Sequence, residues 1–398
     1  MYYEVVLLRS SAPTLTYRSS SVLSIGAVVS VPLKQTVKEA LIVAEANEPD
    51  FETAEIVSES DQNYSPEQMS IAKFISEYYF SSFSEAISLF IPFRNEQMRS
   101  EELGIRNDGL HRSKPPTLSP EQYQAYTQLL QKEKALLFGV TGSGKTEIFI
   151  SLMFEMLEEG KASIFLMPEI SLTPQMEKRL KAYFGDAVAM WHSKITKKKK
   201  MQILEGIENE SIRIVAGARS ALFVPLRDLG LIIVDEEHDD SYKAMTRPRY
   251  HARDVALLMG QKLGAKVVLA SATPSTGSYH KLDVVKLDHP YIQTRKRYRF
   301  VSGEGLTPTI TQAVEANYAS GNQSLVFLPT RGNFKYLNCP SCGTTHKCPF
   351  CSVGMALHRK GRHLKCHYCN YTEPIRESCP TCGYAPLSSE RMGTVEAI

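Results

Sequence analysis

Along residues 1 to about 93 the apolar positions fall in short runs bounded by turn formers, as in Tyr2 to Leu8, Ser24-Ile-Gly-Ala-Val-Val-Ser-Val-Pro32 and Ala40 to Glu45. Such runs predict strands. From Glu67 the period changes: Ile71, Phe74, Ile75, Tyr78 and Tyr79 recur at helical spacing and predict one amphipathic helix closing a small β domain. Residues 94–117 are polar and punctuated by Arg106-Asn-Asp-Gly109 and Lys114-Pro-Pro-Thr117, the pattern of a linker. Beyond Leu118 apolar runs alternate with helical patterns, which predicts a parallel sheet covered on both faces. The candidate strands are Ala135 to Gly139, Ser163 to Met167, Ile212 to Ala216, Leu231 to Asp235, Lys266 to Ala270 and Ser324 to Leu328. Chemistry-bearing residues follow their C-terminal ends, where open α/β sheets place ligands.

A chain of 398 residues that is 43% hydrophobic can bury several cores, so the pattern is divided among about two to four domains. The net charge of +3 is too small to identify a partner. No run approaches the ~18 apolar residues of a membrane span, and Met-Tyr-Tyr-Glu-Val-Val-Leu-Leu lacks the basic start of a signal peptide. The expectation is a cytoplasmic protein with no membrane partner. The run Lys197-Lys-Lys-Lys200 reads as a solvated helix face.

Gly139-Val-Thr-Gly-Ser-Gly-Lys-Thr146 follows a predicted strand and precedes a predicted helix, the context a phosphate-binding loop needs. Gly139, Gly142, Ser143 and Gly144 let backbone N–H groups wrap phosphates, Lys145 reaches their outer oxygens, and Thr146 offers a hydroxyl to Mg²⁺. In Leu231-Ile-Ile-Val-Asp-Glu-Glu-His238, Asp235 at a strand end suits the Mg²⁺ shell and Glu236 suits positioning of an attacking water. ATP is the expected nucleotide. Ser271-Ala-Thr-Pro274 reads either as a plain turn or as a sensor of the γ-phosphate. The loop Asp239 to Tyr250 mixes Tyr242 and Tyr250 with Lys243, Arg247 and Arg249. Aromatic faces stack on bases while cations track phosphates, so this loop is expected to contact a nucleic-acid strand.

All eight cysteines lie in four Cys-x-x-Cys pairs: Cys339 and Cys342, Cys348 and Cys351, Cys366 and Cys369, Cys379 and Cys382. In a reducing compartment these are ligands rather than disulfides. Two such pairs complete a tetrahedral Cys₄ zinc site, so four pairs hold two Zn²⁺ ions, and spacing leaves the three possible pairings open. A closed Cys₄ shell leaves no position for water, so the zinc is structural; His346, His363 and His367 are bystanders.

The phosphate loop, Asp-Glu-Glu-His, Ser-Ala-Thr and Pro168-Glu-Ile-Ser-Leu-Thr-Pro-Gln175 together resemble superfamily 2 helicases. With the cysteine pairs, Gly217-Ala-Arg-Ser-Ala-Leu-Phe223 and Arg249-Tyr-His-Ala-Arg-Asp254, the chain closely resembles the PriA family of bacterial replication-restart helicases from about residue 2 onwards. That resemblance implies a multidomain protein: a small β-rich N-terminal domain, an α/β RecA-like helicase lobe of the P-loop NTPase class, and an incomplete second lobe carrying an inserted two-zinc module. The implied boundaries are a 3′-end DNA-binding-like domain over 1–93, a linker over 94–117, the first lobe over 118–300, the start of the second over 301–338, the zinc insert over 339–383, and the second lobe again over 384–398. It also implies that Gln122 in Leu118-Ser-Pro-Glu-Gln122 contacts adenine, and that Tyr17 belongs to a pocket for a DNA 3′ end. The implied zinc pairing is nested, with Cys339, Cys342, Cys379 and Cys382 on one ion and Cys348, Cys351, Cys366 and Cys369 on the other. The implied activity is ATP-dependent 3′→5′ unwinding of stalled forks in the nucleoid. The implied partners are forked and single-stranded DNA, primosome and helicase-loading proteins, and single-strand binding protein.

The chain departs from the family pattern in three places. Residues 94–117 are too few for the family's winged-helix domain. Leu15-Thr-Tyr17 stands where Phe-Asp-Tyr is usual, so Thr16 replaces a carboxylate and loses charge assistance in binding a 3′-hydroxyl. After Gly393-Thr-Val-Glu396 too little chain follows for a complete second lobe, and the expectation is a truncated helicase. A non-hydrolysing fork-binding and assembly module is the competing reading; an RNA helicase is weaker because it gives the first domain no role.

Overall fold

Strict alternation in the first segment builds a six-stranded antiparallel sheet of β1 (Tyr2–Leu7), β2 (Leu15–Arg18), β3 (Ala27–Leu33), β4 (Thr36–Ala46), β5 (Ser58–Asn63) and β6 (Phe93–Arg94), in the order β2-β1-β4-β3-β5-β6. Successive side chains point to opposite faces, so one strand feeds two cores. Val29 and Val31 of β3 and Ile42 of β4 pack with Tyr3, Val5 and Tyr17 on one face. Val28 and Leu41 from the same strands turn the other way, into a core shared with α1 (Pro66–Tyr78) and α2 (Phe83–Ile87). Helix α1 starts where Ser65 and Gln68 form a reciprocal capping box, which satisfies two otherwise unpaired backbone donors.

The computed structural model describes residues 1–94, 114–168, 174–193, 195–293, 297–302, 306–327, 334–350, 353–358, 361–367 and 369–392. Most of the expected linker, residues 169–173 of the Pro168 to Gln175 motif, Cys351, and Gly393 to Glu396 lie outside the described residues. The chain forms two units, residues 1–294 and 295–398.

The rest of the first unit alternates helix and strand: α3 (Pro120–Leu130), β7 (Lys134–Gly139), α4 (Lys145–Glu158), β8 (Ala162–Leu166), α5 (Pro174–Phe184), β9 (Val188–Trp191), α6 (Lys197–Glu208), β10 (Ile214–Gly217), β11 (Leu229–Val234), α7 (Ala252–Leu263), β12 (Lys266–Ser271), α8 (Thr276–Lys281) and β13 (Asp283–Leu287). The seven strands are parallel in the order β13-β7-β12-β11-β8-β10-β9. Both faces are covered, as the continuous apolar runs require: Leu136 and Ile232 enter the core shared with α1, whereas Leu137 and Ile233 enter a second core around α4. The apolar spacing does not single out β9 and β13, whose runs are short and, in β13, interleaved with charge. Phe90 sets its ring edge-on to Phe223 at 4.9 Å, and Ile91 N–H donates to the Phe223 carbonyl, so the N-terminal segment and the parallel α/β lobe share packing.

In the second unit α9 (Pro308–Ala319) precedes an antiparallel sheet of β14 (Phe334–Asn338), β15 (Ala356–His358), β16 (His363–Lys365), β17 (Thr372–Pro374) and β18 (Ser388–Met392), in the order β17-β16-β15-β14-β18. The strand expected at Ser324 to Leu328 is corrected. Residues 324–327 form no strand and Leu325 and Phe327 are exposed, because no described strand of this unit pairs with them; Leu328 lies outside the described residues. Among the described residues no helix is long and apolar enough to cross a membrane.

Candidate nucleotide site and cysteine clusters

The phosphate loop leaves the C-terminal end of β7 and runs into α4, and its glycines are fixed by geometry. Gly142 and Gly144 hold φ of +79° and +81°, which L side chains rarely adopt, and a Cβ at Gly144 would meet Gln122 Nε2. Gly144 caps α4 without a side-chain bond, so the helix N-terminus is left for an anion. Lys145 Nζ donates to the Gly139 carbonyl at 2.9 Å. The Ser143 hydroxyl is buried yet has no hydrogen-bond partner. An unpartnered buried hydroxyl in a cradle of glycines fits a phosphate oxygen, which would satisfy it.

Gln122 is placed differently from the expectation of a base contact. It is 2% exposed; its Oε1 accepts from Ser119 N–H at 2.8 Å in the capping box of α3, and its Nε2 donates to the Ser143 carbonyl at 3.0 Å. Both ends of the amide are engaged within the protein. The residue braces the phosphate loop rather than facing a base. Glu147, in the first turn of α4, is ion-paired with Arg179 of α5.

The acidic motif follows β11. Asp235 N–H donates to the Leu166 carbonyl, and Asp235 Oδ1 accepts from Glu236 N–H at 3.0 Å. Burial, reinforced by the neighbouring Glu236 charge and only partly offset by Lys145, pushes Asp235 up to about 6. A dication would relieve that cost. Glu236 sits at φ +47°, a left-handed conformation in a non-glycine residue of the kind that clusters at functional sites. His238 Nδ1 and the Ser271 hydroxyl are 2.8 Å apart, and the Thr273 hydroxyl lies 3.4 Å from His238 Nε2. Ser271 and Thr273 are therefore wired to the acidic motif, which a plain turn would not require.

Glu237 and its partners have no role in the sequence reading. The Glu237 side chain is fully buried, and its carboxylate accepts from Ser275 N–H at 2.6 Å, from the Ser275 and Ser278 hydroxyls, and from Arg253 at 3.0 Å. Burial opposes its charge, but these donors outweigh burial and hold its pKa below the usual carboxylate range. One side chain thus ties the acidic motif to the start of α8 and to α7. The third acid in Asp-Glu-Glu-His, together with Arg253 in Arg249-Tyr-His-Ala-Arg-Asp254, is the sequence signal that could have found it.

The aromatic residues expected to stack on bases are corrected by their burial. Tyr242 is 1% exposed, with its hydroxyl donating to the Asp235 carbonyl at 2.6 Å. Tyr250 is 4% exposed, packs edge-on to Phe223 at 5.1 Å, and is pushed up to about 12 by burial. Tyr17 is likewise in the core, its hydroxyl donating to the Pro32 carbonyl at 2.8 Å. These rings hold the loop and the first domain in shape, and their faces are closed to a base. The cations Lys243, Arg247 and Arg249 remain exposed. Arg219 donates to the Ser241 and Lys243 carbonyls and so fixes the loop from below. Gly217, before Arg219, is forced, since a Cβ there would lie 1.9 Å from the Trp191 carbonyl oxygen.

In the second unit the sulfurs of Cys339, Cys342, Cys379 and Cys382 gather within 4.8 Å of one another, and those of Cys348, Cys366 and Cys369 form a second group. Cys351, the expected fourth member, lies outside the described residues. Cys339 and Cys382, Cys342 and Cys379, and Cys348 and Cys369 each stand 3.6 Å apart at sulfur. Four sulfurs at ~2.3 Å from a tetrahedral ion stand about 3.8 Å apart, so both groups fit zinc. Hydrogen bonds from the Thr344 side chain and backbone hold Cys342 down to about 6, which favours the ligating thiolate. His346 is paired with Glu373 and belongs to neither cluster of sulfurs among the described residues.

Three families match segments of the chain: the PriA 3′DNA-binding domain (3′BD) over residues 4–92, DEAD/DEAH box helicases over 119–282, and the PriA DNA helicase Cys-rich region over 348–374. The replication restart protein PriA of Helicobacter pylori (strain ATCC 700392 / 26695) is 40% identical over 405 residues, covering 100% of this chain and 64% of that protein. The protein of the same name from Rickettsia felis is 34% identical over 383 residues, covering 91% of this chain and 58% of its own length. That from Bacillus subtilis is 38% identical over 292 residues, covering 68% and 36%. The chain thus spans 64% of the length of the H. pylori relative.

Proposed function

This chain belongs to the PriA family of replication restart proteins, and from that premise we propose that it works as an ATP-dependent 3′→5′ DNA helicase on stalled or abandoned forks. What supports the reading is that Lys145, Asp235 and Glu236, and Ser271 follow or end β7, β11 and β12, that the Lys145 charge acts on Asp235 and His238 bonds Ser271, and that the phosphate loop holds a buried, unpartnered Ser143 hydroxyl. Bound ATP with Mg²⁺ supplies the phosphoryl bond whose hydrolysis drives the motor. The N-terminus of α4 and Lys145 hold the phosphates, and Thr146 and Asp235 hold the ion. Glu236 orients the attacking water. His238 carries the state of that site to Ser271 and Thr273, while Glu237 keeps α7 and α8 in register with it.

Residues 1–93 bind DNA with a 3′ end, and Lys243 and Arg247 contact phosphates of the strand. The two cysteine groups each hold one structural Zn²⁺, Cys351 completing the second. Primosome and helicase-loading proteins and single-strand binding protein are the proposed partners, in the cytoplasm at the nucleoid. The intact Lys145, Asp235 and Glu236 weigh against a non-hydrolysing assembly module.

Steady-state ATP hydrolysis by this chain, with and without forked DNA bearing a 3′ end, tests the proposal, with Lys145→Ala as the blank. DNA-stimulated turnover that Lys145→Ala abolishes while fork binding persists is the expected result. No turnover despite nucleotide and fork binding would sink the motor assignment for this chain.

A further inference from the structure

With Tyr242 and Tyr250 buried, exposed aromatic rings that adjoin the basic loop, through Lys243 over Tyr79, are found at the end of α1. That helix buries Ile71, Ala72 and Ile75 and leaves Phe74 and Tyr78 at 38% and 61% exposure, while Phe80, two residues past its end, is 88% exposed. The rings are ordered rather than scattered. Phe74 stacks on Tyr78 at 5.3 Å and 11°, Tyr78 meets Tyr79 edge-on at 4.9 Å, and Lys243 lies over the Tyr79 ring at 5.0 Å. The row therefore runs from the middle of α1 to the cationic loop, where Arg247 and Arg249 are also exposed.

Phe80 is held at a cost. It occupies the position just past the helix end, with φ +51° and Ser81 N–H closing back to the Ser76 carbonyl. Glycine is the usual residue in that left-handed position, because a Cβ there is strained. A bulky aromatic in a disfavoured backbone state, with its ring 88% exposed, gains nothing from packing.

We propose that Phe74, Tyr78 and Phe80, with Lys243 at the end of the row, form a base-stacking track that delivers single-stranded DNA to the basic loop. The occupant is single-stranded nucleic acid rather than a peptide because open rings followed by cations match alternating bases and phosphates. Glu77 is the one acid of α1 beside these rings, with Lys73 one turn before it. The track rests on the DNA-binding reading given above and assigns that binding to residues outside the helicase motifs.

Fluorescence anisotropy of the full chain with labelled oligo(dT), and with an abasic oligonucleotide of equal length, tests it. Wild type should prefer the strand that has bases. Tyr78→Ala and Phe80→Gly should each weaken oligo(dT) binding about 5-fold or more while leaving abasic binding nearly unchanged. Phe80→Gly should also resist denaturant at least as well as wild type, so its loss of affinity cannot come from unfolding. Lys243→Met should instead flatten the salt dependence, by roughly 0.7 in the logarithmic slope. Unchanged oligo(dT) affinity in both ring variants, with wild type binding normally, overturns the track and leaves the helicase reading standing. Failure of wild type to bind any DNA while still binding nucleotide overturns both. Self-association removed by Tyr78→Ala with no change in DNA affinity assigns the rings to a second copy of the chain, and likewise overturns the track.

Discussion

Glu237 shows how one residue can be structural in energy and functional in position. Its carboxylate is fully buried against four donors from Arg253, Ser275 and Ser278; removing it takes the buried acceptor from all four, although Arg253 keeps Asp254 and the two serine hydroxyls keep each other. Glu237→Ala should cost about 1–3 kcal/mol in denaturant unfolding. A loss below ~0.5 kcal/mol would mean that water replaces the carboxylate at no penalty. Tyr242 separates burial from DNA contact. Tyr242→Phe deletes the bond to the Asp235 carbonyl and should lower stability by about 1 kcal/mol, with single-strand affinity within twofold of wild type. A large loss of affinity in a folded Tyr242→Phe protein would restore the ring to the DNA surface.

At the scale of elements, the parallel sheet was legible because its strands are buried on both faces and read as continuous apolar runs: β7, β8, β10, β11 and β12 lie within a few residues of their expected places. Strands β9 and β13, at the two edges, carry too little periodicity to stand out. The phosphate loop was legible for the same local reason, since its chemistry lies in consecutive residues. What α1 does was not. Phe74, Tyr78 and Tyr79 share the helical spacing of Ile71 and Ile75, and only packing shows that the isoleucines face the core while Phe74 and Tyr78 face out. Nor does a capping motif disclose that Gln122 braces a loop 21 residues away. The cysteine sheet is expected to depend on the proposed zinc ions, because its small core counts Cys348 and Cys366 among its buried members. Metal removal should therefore melt β14 to β18 as one element. Hydrogen exchange after complete chelation should show protection lost over residues 334–392 and kept in β7 and β11; persistent protection of β15 and β16 would show that the apolar contacts suffice without zinc.

At the scale of the molecule, the first sheet and the helicase lobe are expected to unfold together, because α1, α2, Val28 and Leu41 enter the same core as Leu222, Phe223 and Tyr250. Sharing a core makes the stability of one element the stability of both. The chain has one tryptophan, Trp191, 5% exposed at the end of β9 in the helicase lobe, so its fluorescence reports that lobe. Ile75 of α1 is fully buried on the other side of the shared core, and Ile75→Ala opens a cavity that costs about 2–5 kcal/mol. If residues 1–294 behave as one cooperative unit, the Trp191 transition of Ile75→Ala moves to lower denaturant by that full amount with its slope unchanged. If the Trp191 transition stays in place while circular dichroism shows an earlier loss of the N-terminal sheet, the two parts fold separately. In that case the hydrogen bond from Ile91 to Phe223 and the Phe90–Phe223 contact are a docking surface rather than a core, and the aromatic row on α1 would be free to move relative to Lys243.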